Sequence, residues 1–384
     1  MPISTMLYSR PFVLSAVVSL SSSAVRPVAC FSTSTPTSRL FQSLVDKPIK
    51  GATFPVYNPA DPSKVVAEVP IHTRADVTQA IERSEAALPN WRDGTTASFR
   101  GSLLTKWSQL IQEHKTDIAT IMTLESGKPL QESLGEVNYG TSFLDYYAAE
   151  ALRPSGTILP TAFAHPDGSP RGQAMAFQQA VGVTGLITPW NFPIAMITRK
   201  VGPALAAGCT ALVKPSELTP LTAMLLQELA DQAGIPEGVV QTITTDRKHT
   251  PEVGDELCTH PSVRKISFTG STAVGKLLMQ TSASTVKRLS LELGGNAPFI
   301  VFGDADMDQA ISSAMASKFR NAGQTCVCAD RFLVHASRYD EFVQRLTAAI
   351  DDLVVGNGMT EGVTMGPVIS AQACDGVDAK VQDA

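Results

Sequence analysis

The sequence predicts an α/β protein built on a doubly wound parallel sheet, and two features predict it. Short apolar runs (Val183–Ile187, Ala211–Val213, Val239–Ile243, Lys265–Phe268, Leu289–Leu293 and Phe299–Phe302) alternate with amphipathic stretches such as Pro220–Ala233 and Ala273–Ser282. Runs that are apolar throughout belong to parallel sheets covered on both faces, with helices as crossovers. The second feature is composition. At 384 residues, 43% hydrophobic and 17% charged, the chain is globular, long enough for about two or three compact units. Such a sheet opens its ligand crevice at the carboxyl ends of its strands.

In chain order, residues 1–40 stand apart. They hold ten serines by position 38, the arginines Arg10, Arg26 and Arg39, and no acid. That is the composition of an organelle transit peptide. A secretory signal, with Phe12–Leu20 as its apolar stretch, is the alternative, but the Ser/Arg-rich character runs on to Arg39. Helices follow. Thr73 with Asp76 makes a capping-box start ahead of Val77, Ile81 and Leu88 on one face. A second helix carries Leu103, Leu104, Trp107, Leu110 and Ile111, and a third Ile118, Ile121 and Met122, stopping at Gly127–Pro129. The Gly/Pro-punctuated, polar segment Pro160–Ala180 reads as a protruding arm or hairpin.

Several partners are excluded or disfavoured. The net charge is −5, and without the arginine-bearing presequence the body is more acidic still, so a phosphate-backbone partner is not expected. No uncharged run reaches the ~18 apolar residues of a membrane span. The six cysteines (Cys30, Cys209, Cys258, Cys326, Cys328 and Cys374) are too sparse for a disulfide scaffold. No CxxC, HExxH or paired His/Cys spacing offers metal ligands.

Five motifs bear chemistry. Gly270-Ser271-Thr272-Ala273-Val274-Gly275-Lys276 follows one strand and opens a helix. It resembles a P-loop but continues with Leu277, lacking the Ser or Thr that would ligate Mg²⁺. What remains is a strand–glycine–helix junction suited to a pyrophosphate, or a plain tight turn. Lys214-Pro215-Ser216-Glu217 ends another strand; Lys and Glu there fit one ribose, and the carboxylate would repel a 2′-phosphate, favouring NAD over NADP. A solvated loop is the alternative. Cys326, in Phe319-Arg320-Asn321-Ala322-Gly323-Gln324-Thr325-Cys326-Val327-Cys328, is either inert or a nucleophile. A thiol of pKa about 8.5 needs local activation for that role. Glu292, ending a strand before Leu293-Gly294-Gly295, is a solvated strand end or a general base raised by burial. Asn191, in Pro189-Trp190-Asn191-Phe192-Pro193, is an amide held between prolines: a turn residue, or a fixed oxyanion donor.

In this order the motifs PWNFP, KPSE, FTGS with its second glycine, ELGG and GQTC resemble the aldehyde dehydrogenase superfamily, from about residue 45 to the end. The stretches Ala195–Lys200, Asp246-Arg247-Lys248, Lys318–Asn321 and the CxC pair resemble its mitochondrial succinate-semialdehyde branch. The resemblance implies a Rossmann-like NAD-binding domain at 41–159 and 182–293, an oligomerisation arm at 160–181, and a partial α/β catalytic domain at 294–384. It implies NAD-dependent oxidation of succinate semialdehyde to succinate, a step of GABA degradation, in the mitochondrial matrix of a homo-oligomer. Cys326 would attack the aldehyde, Asn191 would hold the oxyanion, and Glu292 would activate water. Trp190, Lys214, Pro215, Ser216, Glu217 and Gly270–Gly275 (with Ser271, Thr272, Ala273 and Val274) would bind NAD. Arg199 and Arg320 match the family's carboxylate-binding positions, and guanidinium forks suit the substrate's distal carboxylate. Glutarate semialdehyde is an alternative substrate.

Residues two apart in extended chain lie ~6.6 Å apart, near the ~6.8 Å limit for a disulfide. A strained, reducible Cys326–Cys328 bridge is therefore an expected redox switch, with simple packing of Cys328 as the alternative. Past Met365-Gly366-Pro367 the family's later motifs are not found, including ExFGP. A truncated dehydrogenase is therefore expected. A catalytically inactive product that binds cofactor or full-length subunits, and a Cys-dependent hydrolase, are the competing readings.

Overall fold

The computed structural model describes residues 51–153 and 156–383, and Leu40, Gln42 and Ile49 before them. The expected presequence lies outside the described residues except at its last position. Leu40, assigned above to that presequence, is instead buried with the largest core cluster, because an apolar side chain beside packed helices gains by leaving water.

The chain opens on an antiparallel hairpin, β1 (Thr53–Asn58) and β2 (Asp61–Pro70). Its strands hold Pro55, Pro62 and Pro70, and proline within a run argues against a strand; the sequence reading therefore passed over it. Four helices follow: α1 (Arg74–Asp93), α2 (Ala97–Glu113), α3 (Lys115–Ser126) and α4 (Leu130–Glu150). Asp76 caps α1 by accepting from the Thr73 N–H at 2.7 Å. Gly127 ends α3 in the left-handed conformation, φ 81°, which glycine adopts without steric cost. The unread helix is α4. Its buried face includes Ser133, Glu136, Gly140 and Thr141, so apolar periodicity does not mark it.

An antiparallel pair, β3 (Gly156–Leu159) and β4 (Ala174–Phe177), forms a hairpin with every strand residue exposed. Its first strand lies ahead of Pro160, the boundary read from sequence.

The parallel sheet comprises β5 (Val183–Ile187), β6 (Thr210–Lys214), β7 (Val240–Thr242), β8 (Val263–Thr269) and β9 (Arg288–Glu292), in the order β7-β6-β5-β8-β9. Four crossovers link them: α5 (Pro193–Ala206), α6 (Pro220–Ala233), α7 (Thr250–Thr259) and α8 (Thr272–Ser282). Alternation along β6 shows why the strands are apolar throughout. Ala211 and Val213 enter the core shared with α2 to α6, while Leu212 enters the opposite core with Val77, Ile81, Val253 and Ile266. Burying a side chain of this size stabilises by ~1.5–3 kcal/mol. Because β5 pairs with both β6 and β8, connections leave it in two directions, and the crevice opens where they part.

Beyond the sheet, β10 (Ala297–Val301) and β11 (Ala329–Val334) pair in parallel, joined through α9 (Met307–Lys318) and followed by α10 (Tyr339–Asp351) and α11 (Ala371–Asp383). A third core centres on Val301, Met307, Ile311, Ala314 and Phe342.

One buried carboxyl fastens α3 to α6. Glu125 accepts from the Leu221 N–H at 2.8 Å, from the Thr222 N–H at 3.0 Å, and from the Thr222 hydroxyl. It thereby satisfies the first amides of α6, which have no intrahelical partner. Burial outweighs those donors and pushes the carboxyl up to about 7, from an ordinary 4.5. The folded state therefore keeps a proton that the unfolded chain releases, and this group's contribution to stability falls as pH rises from about 4.5 to about 7. Glu125→Gln is expected to remove that part of the slope when urea midpoints are plotted against pH. The same slope in both proteins would contradict it.

Candidate active site

Three consecutive residues ahead of the thiol, Asn321, Ala322 and Gly323, have φ of 51°, 53° and 75°. Two of them carry a Cβ, and such strain costs of order 1–3 kcal/mol per residue unless neighbours hold it. Neighbours do. Glu132 on α4 accepts from the Asn321 N–H at 2.8 Å, and the Asn321 amide donates to the Asn191 carbonyl at 3.2 Å. Gln324 donates to the Asn321 carbonyl at 3.1 Å and accepts from the Ile369 N–H at 2.9 Å. The turn then presents Cys326, whose side chain is exposed, while Cys328 is buried. Both thiols are free, and the Cys328 thiol donates to the Gly323 carbonyl at 3.2 Å.

Asn191 meets this loop. Its Nδ2 donates to the Gln324 carbonyl at 3.0 Å, two residues before Cys326, and its Oδ1 is buried without a partner. Lys128 sets its position by donating to the Asn191 carbonyl at 2.6 Å and to Glu136 at 2.6 Å. Glu136 in turn accepts from the Ile194 N–H at 2.9 Å, at the start of α5. The Lys128–Glu136 pair is essentially fully buried, 1% and 2% exposed. Sequence reasoning missed both residues. The only signal is Lys128 just ahead of Pro129 and Glu136 two turns into the helix that follows, which does not say that they face each other.

Glu292 ends β9 with its side chain exposed, so the buried setting read from sequence is not found at this position. Its carbonyl accepts from the Gly270 N–H at 3.0 Å. It lines a cavity of about 440 Å³ with Arg199, Lys200, Lys265, Ser267 and Arg288. Cys326 is not among those lining residues. Lys200 donates to Ser267 at 2.9 Å. Burial draws its ammonium down to about 8, Arg199 and Lys265 add to this, and Glu292 opposes it.

Arg199 and Arg320 converge. Their guanidinium carbons lie 5.5 and 5.7 Å from the centre of the Tyr139 ring, and among the described residues neither forms an ion pair.

The carboxyl ends of the strands hold the remaining candidates. Lys214 is buried at the end of β6, with Glu217 at 3.9 Å. Burial lowers its ammonium and Glu217 opposes. Pro215 and Ser216 are buried beside it, and the Ser216 hydroxyl accepts from the Leu218 N–H at 3.2 Å. The Trp190 carbonyl accepts from the Thr219 hydroxyl at 3.4 Å. Past β8, Gly270 leads to Ser271, which caps α8 by accepting from the Val274 N–H at 3.3 Å. Ser271, Thr272, Ala273 and Val274 are exposed, and Gly275 is buried where a Cβ would come within 2.6 Å of Leu293. Three threonine hydroxyls at strand ends, on Thr188, Thr245 and Thr269, are buried without partners. Orphaned hydroxyls, an open helix N-terminus and a half-paired buried lysine fit a phosphate- and ribose-bearing ligand. Among the described residues no His/Cys/Asp/Glu cluster could hold a metal.

This is the architecture of the doubly wound dinucleotide-binding proteins. The sequence model of the aldehyde dehydrogenase family matches residues 47–384, and the chain belongs to that family. It is 51% identical over 332 residues to the mitochondrial succinate-semialdehyde dehydrogenase of Arabidopsis thaliana, covering 86% of this chain but 61% of that protein. It is 48% identical to the glutarate-semialdehyde dehydrogenase of Pseudomonas aeruginosa, over 87% of this chain and 67% of that one. The crystal structure of an E. coli NADP-dependent enzyme, 47% identical, superposes with a TM-score of 0.83 over 87% of this chain and 67% of its own.

Removing Lys128 would strand the Glu136 carboxylate in the interior. Lys128→Met is expected to cost ~3–5 kcal/mol of stability in urea unfolding. A loss under about 1 kcal/mol, the range of an exposed pair, would mean that the pair is hydrated in solution.

Proposed function

We propose that the chain oxidises succinate semialdehyde to succinate with NAD⁺, through a covalent intermediate on Cys326. The carrying observation is the convergence of Arg199 and Arg320 on Tyr139 without ion-paired carboxylates, Arg199 on the helix that follows Asn191 and Arg320 on the loop that leads to Cys326. Two unpaired guanidinium groups suit an aldehyde bearing a carboxylate and serve no purpose for an uncharged one. The Arabidopsis relative supports the same substrate class.

In this reading the Cys326 thiolate adds to the aldehyde carbon. The oxyanion is held by the Asn191 Nδ2, which carries a second hydrogen beyond the one given to Gln324, and by the Cys326 N–H. Bound NAD⁺ supplies the hydride acceptor. Glu292 takes a proton from the water that releases the product from Cys326 and returns the thiol. Trp190, Lys214, Pro215, Ser216 and Glu217 would hold the adenosine side, and Gly270 to Gly275 the phosphates. A carboxylate at Glu217 disfavours a 2′-phosphate and so favours NAD, although the E. coli structure shows that a relative of this similarity is NADP-dependent. Glutarate semialdehyde is the second reading, supported by the Pseudomonas relative. The exposed β3–β4 hairpin, with Ile158, Met175 and Phe177 at 69%, 60% and 75% exposure, suits a homo-oligomeric contact. The Arabidopsis relative's name and the serine-rich, acid-free first 40 residues support the mitochondrial matrix as location.

Purified chain given NAD⁺ and succinate semialdehyde is expected to form reduced dinucleotide. Cys326→Ala should lower the rate at least ~10³-fold, and Arg199→Leu or Arg320→Leu should raise KM about 10–100-fold. Ester cleavage without reduced dinucleotide would instead indicate a thiol hydrolase. Neither activity would indicate an inactive chain retaining cofactor contacts.

The same thiol supports a redox switch by formation of a Cys326–Cys328 disulfide. Cys328 is buried against Gly323, so the loop must open before the two sulfurs join. Inhibition by hydrogen peroxide is expected to be reversed by dithiothreitol in the unaltered chain and not in Cys328→Ala. Equal reversal in both would end the switch reading.

A further inference from the structure

Six side chains, the two arginines among them, alternate ring and cation. The Arg199 guanidinium lies 4.7 Å from the centre of Phe143 and 5.5 Å from that of Tyr139. Arg320 lies 5.7 Å from Tyr139 and 4.6 Å from Phe192. The Lys128 ammonium also sits 4.6 Å from the centre of Phe192. Tyr139 is the one ring that both arginines share. All these separations fall within the ~6 Å over which a ring face attracts a cation. The ring itself is held edge-on to Phe143, centroids 5.0 Å apart at 61°, and is 43% exposed.

Hydrogen bonding singles out the same residue. The Tyr139 hydroxyl accepts from Arg199 Nη2 at 2.8 Å, and Arg199 Nε is spent on the Ala195 carbonyl at 3.1 Å. That fixes the direction of the fork. The tyrosine's own O–H has no acceptor among the described residues, and the Arg320 guanidinium donates to none of them. Lys128 is neutralised by Glu136, and Glu132 lies within electrostatic reach of Arg320 without pairing with it. Two like charges thus contact the same ring, and neither is in an ion pair among the described residues.

We propose that Tyr139 is a positioning and specificity-determining residue for a carboxylate-bearing ligand. Its ring holds Arg199 and Arg320 together against their repulsion, and its hydroxyl proton is a third donor aimed at the same carboxylate. This rests on reading Arg199 and Arg320 as the carboxylate holders. Tyr139 lies on α4, away from every motif that marks the family in the sequence. Its part is to pre-organise the fork, so that binding need not order two long side chains.

Succinate itself is the probe, because its binding can be measured without turnover. Calorimetric titration of the full chain is expected to show Tyr139→Phe, which keeps the ring and loses the hydroxyl, binding succinate about threefold more weakly. Tyr139→Leu, which loses both, is expected to bind about 30-fold more weakly. In turnover, Tyr139→Leu should raise KM more than it lowers kcat, and should reduce the preference in kcat/KM for succinate semialdehyde over butanal. A general packing defect would not produce that graded pair with a change in preference. Succinate binding lost in Arg199→Leu but unchanged in Tyr139→Leu would overturn the tyrosine's role and leave the proposed function standing. No Cys326-dependent turnover, with the graded loss of binding intact, would overturn the function and leave the tyrosine's role standing. No succinate binding by the unaltered chain would overturn both.

Discussion

The contact between Lys128 and Glu136 governs how the rest of the site is assembled. Both charges are out of water, and burying a pair rarely yields net stability on its own. Here each charge also meets a backbone dipole. Glu136 receives the first amides of α5, where a carboxylate is favoured by the helix dipole. Lys128 receives the Asn191 carbonyl. The pair therefore decides where the Pro189–Pro193 turn sits, and through Asn191 and Asn321 it decides where the strained loop before Cys326 can rest. A hydrophobic pair of equal volume would fill the space but would leave those amides and that carbonyl unsatisfied.

Around this anchor the two halves of the site are made differently. The dinucleotide side is built of strand ends, with side chains that are small, buried and in part unpartnered, awaiting a ligand's polar groups. The thiol side is built of a loop forced through left-handed conformations and held by three side-chain amides, Asn321 and Gln324 within the loop and Asn191 from the turn ahead of α5.

Much of the fold was legible in the chain. The central strands β5 and β6 were readable because both of their faces are covered, whereas the edge strand β9 shows only through its alternating leucines, Arg288, Ser290 and Glu292 being exposed. The β1–β2 hairpin was not, since its prolines argue against strands wherever the partner is unknown. The helix α4 escaped notice because its buried face spends Glu136 and Gly140 on α5, and neither residue contributes apolar periodicity. The same limit applies to function. Cys326, Asn191 and Lys214 could be picked out because each sits in a short motif next to a predicted strand or turn. Lys128, Glu136, Glu132 and Tyr139 could not, because their meaning lies in partners 58 to 189 residues away in the chain, reckoned from the Lys128–Asn191, Glu136–Ile194, Tyr139–Arg199 and Glu132–Asn321 separations. The exposure of Glu292 was unreadable for a related reason: the end of an edge strand is wet or dry according to what lies over it.

The five described cysteines are distributed unevenly between water and the interior. Cys326 and Cys374 face solvent, while Cys209, Cys258 and Cys328 do not. A maleimide reagent should therefore meet two populations. Cys258 is buried on α7 and Cys209 just ahead of β6, so alkylation of either waits on opening of the fold around it. Cys328 needs only its loop to swing. Mass spectrometry of partly labelled protein would thus distinguish breathing of the thiol loop from failure of the sheet, with no probe introduced from outside.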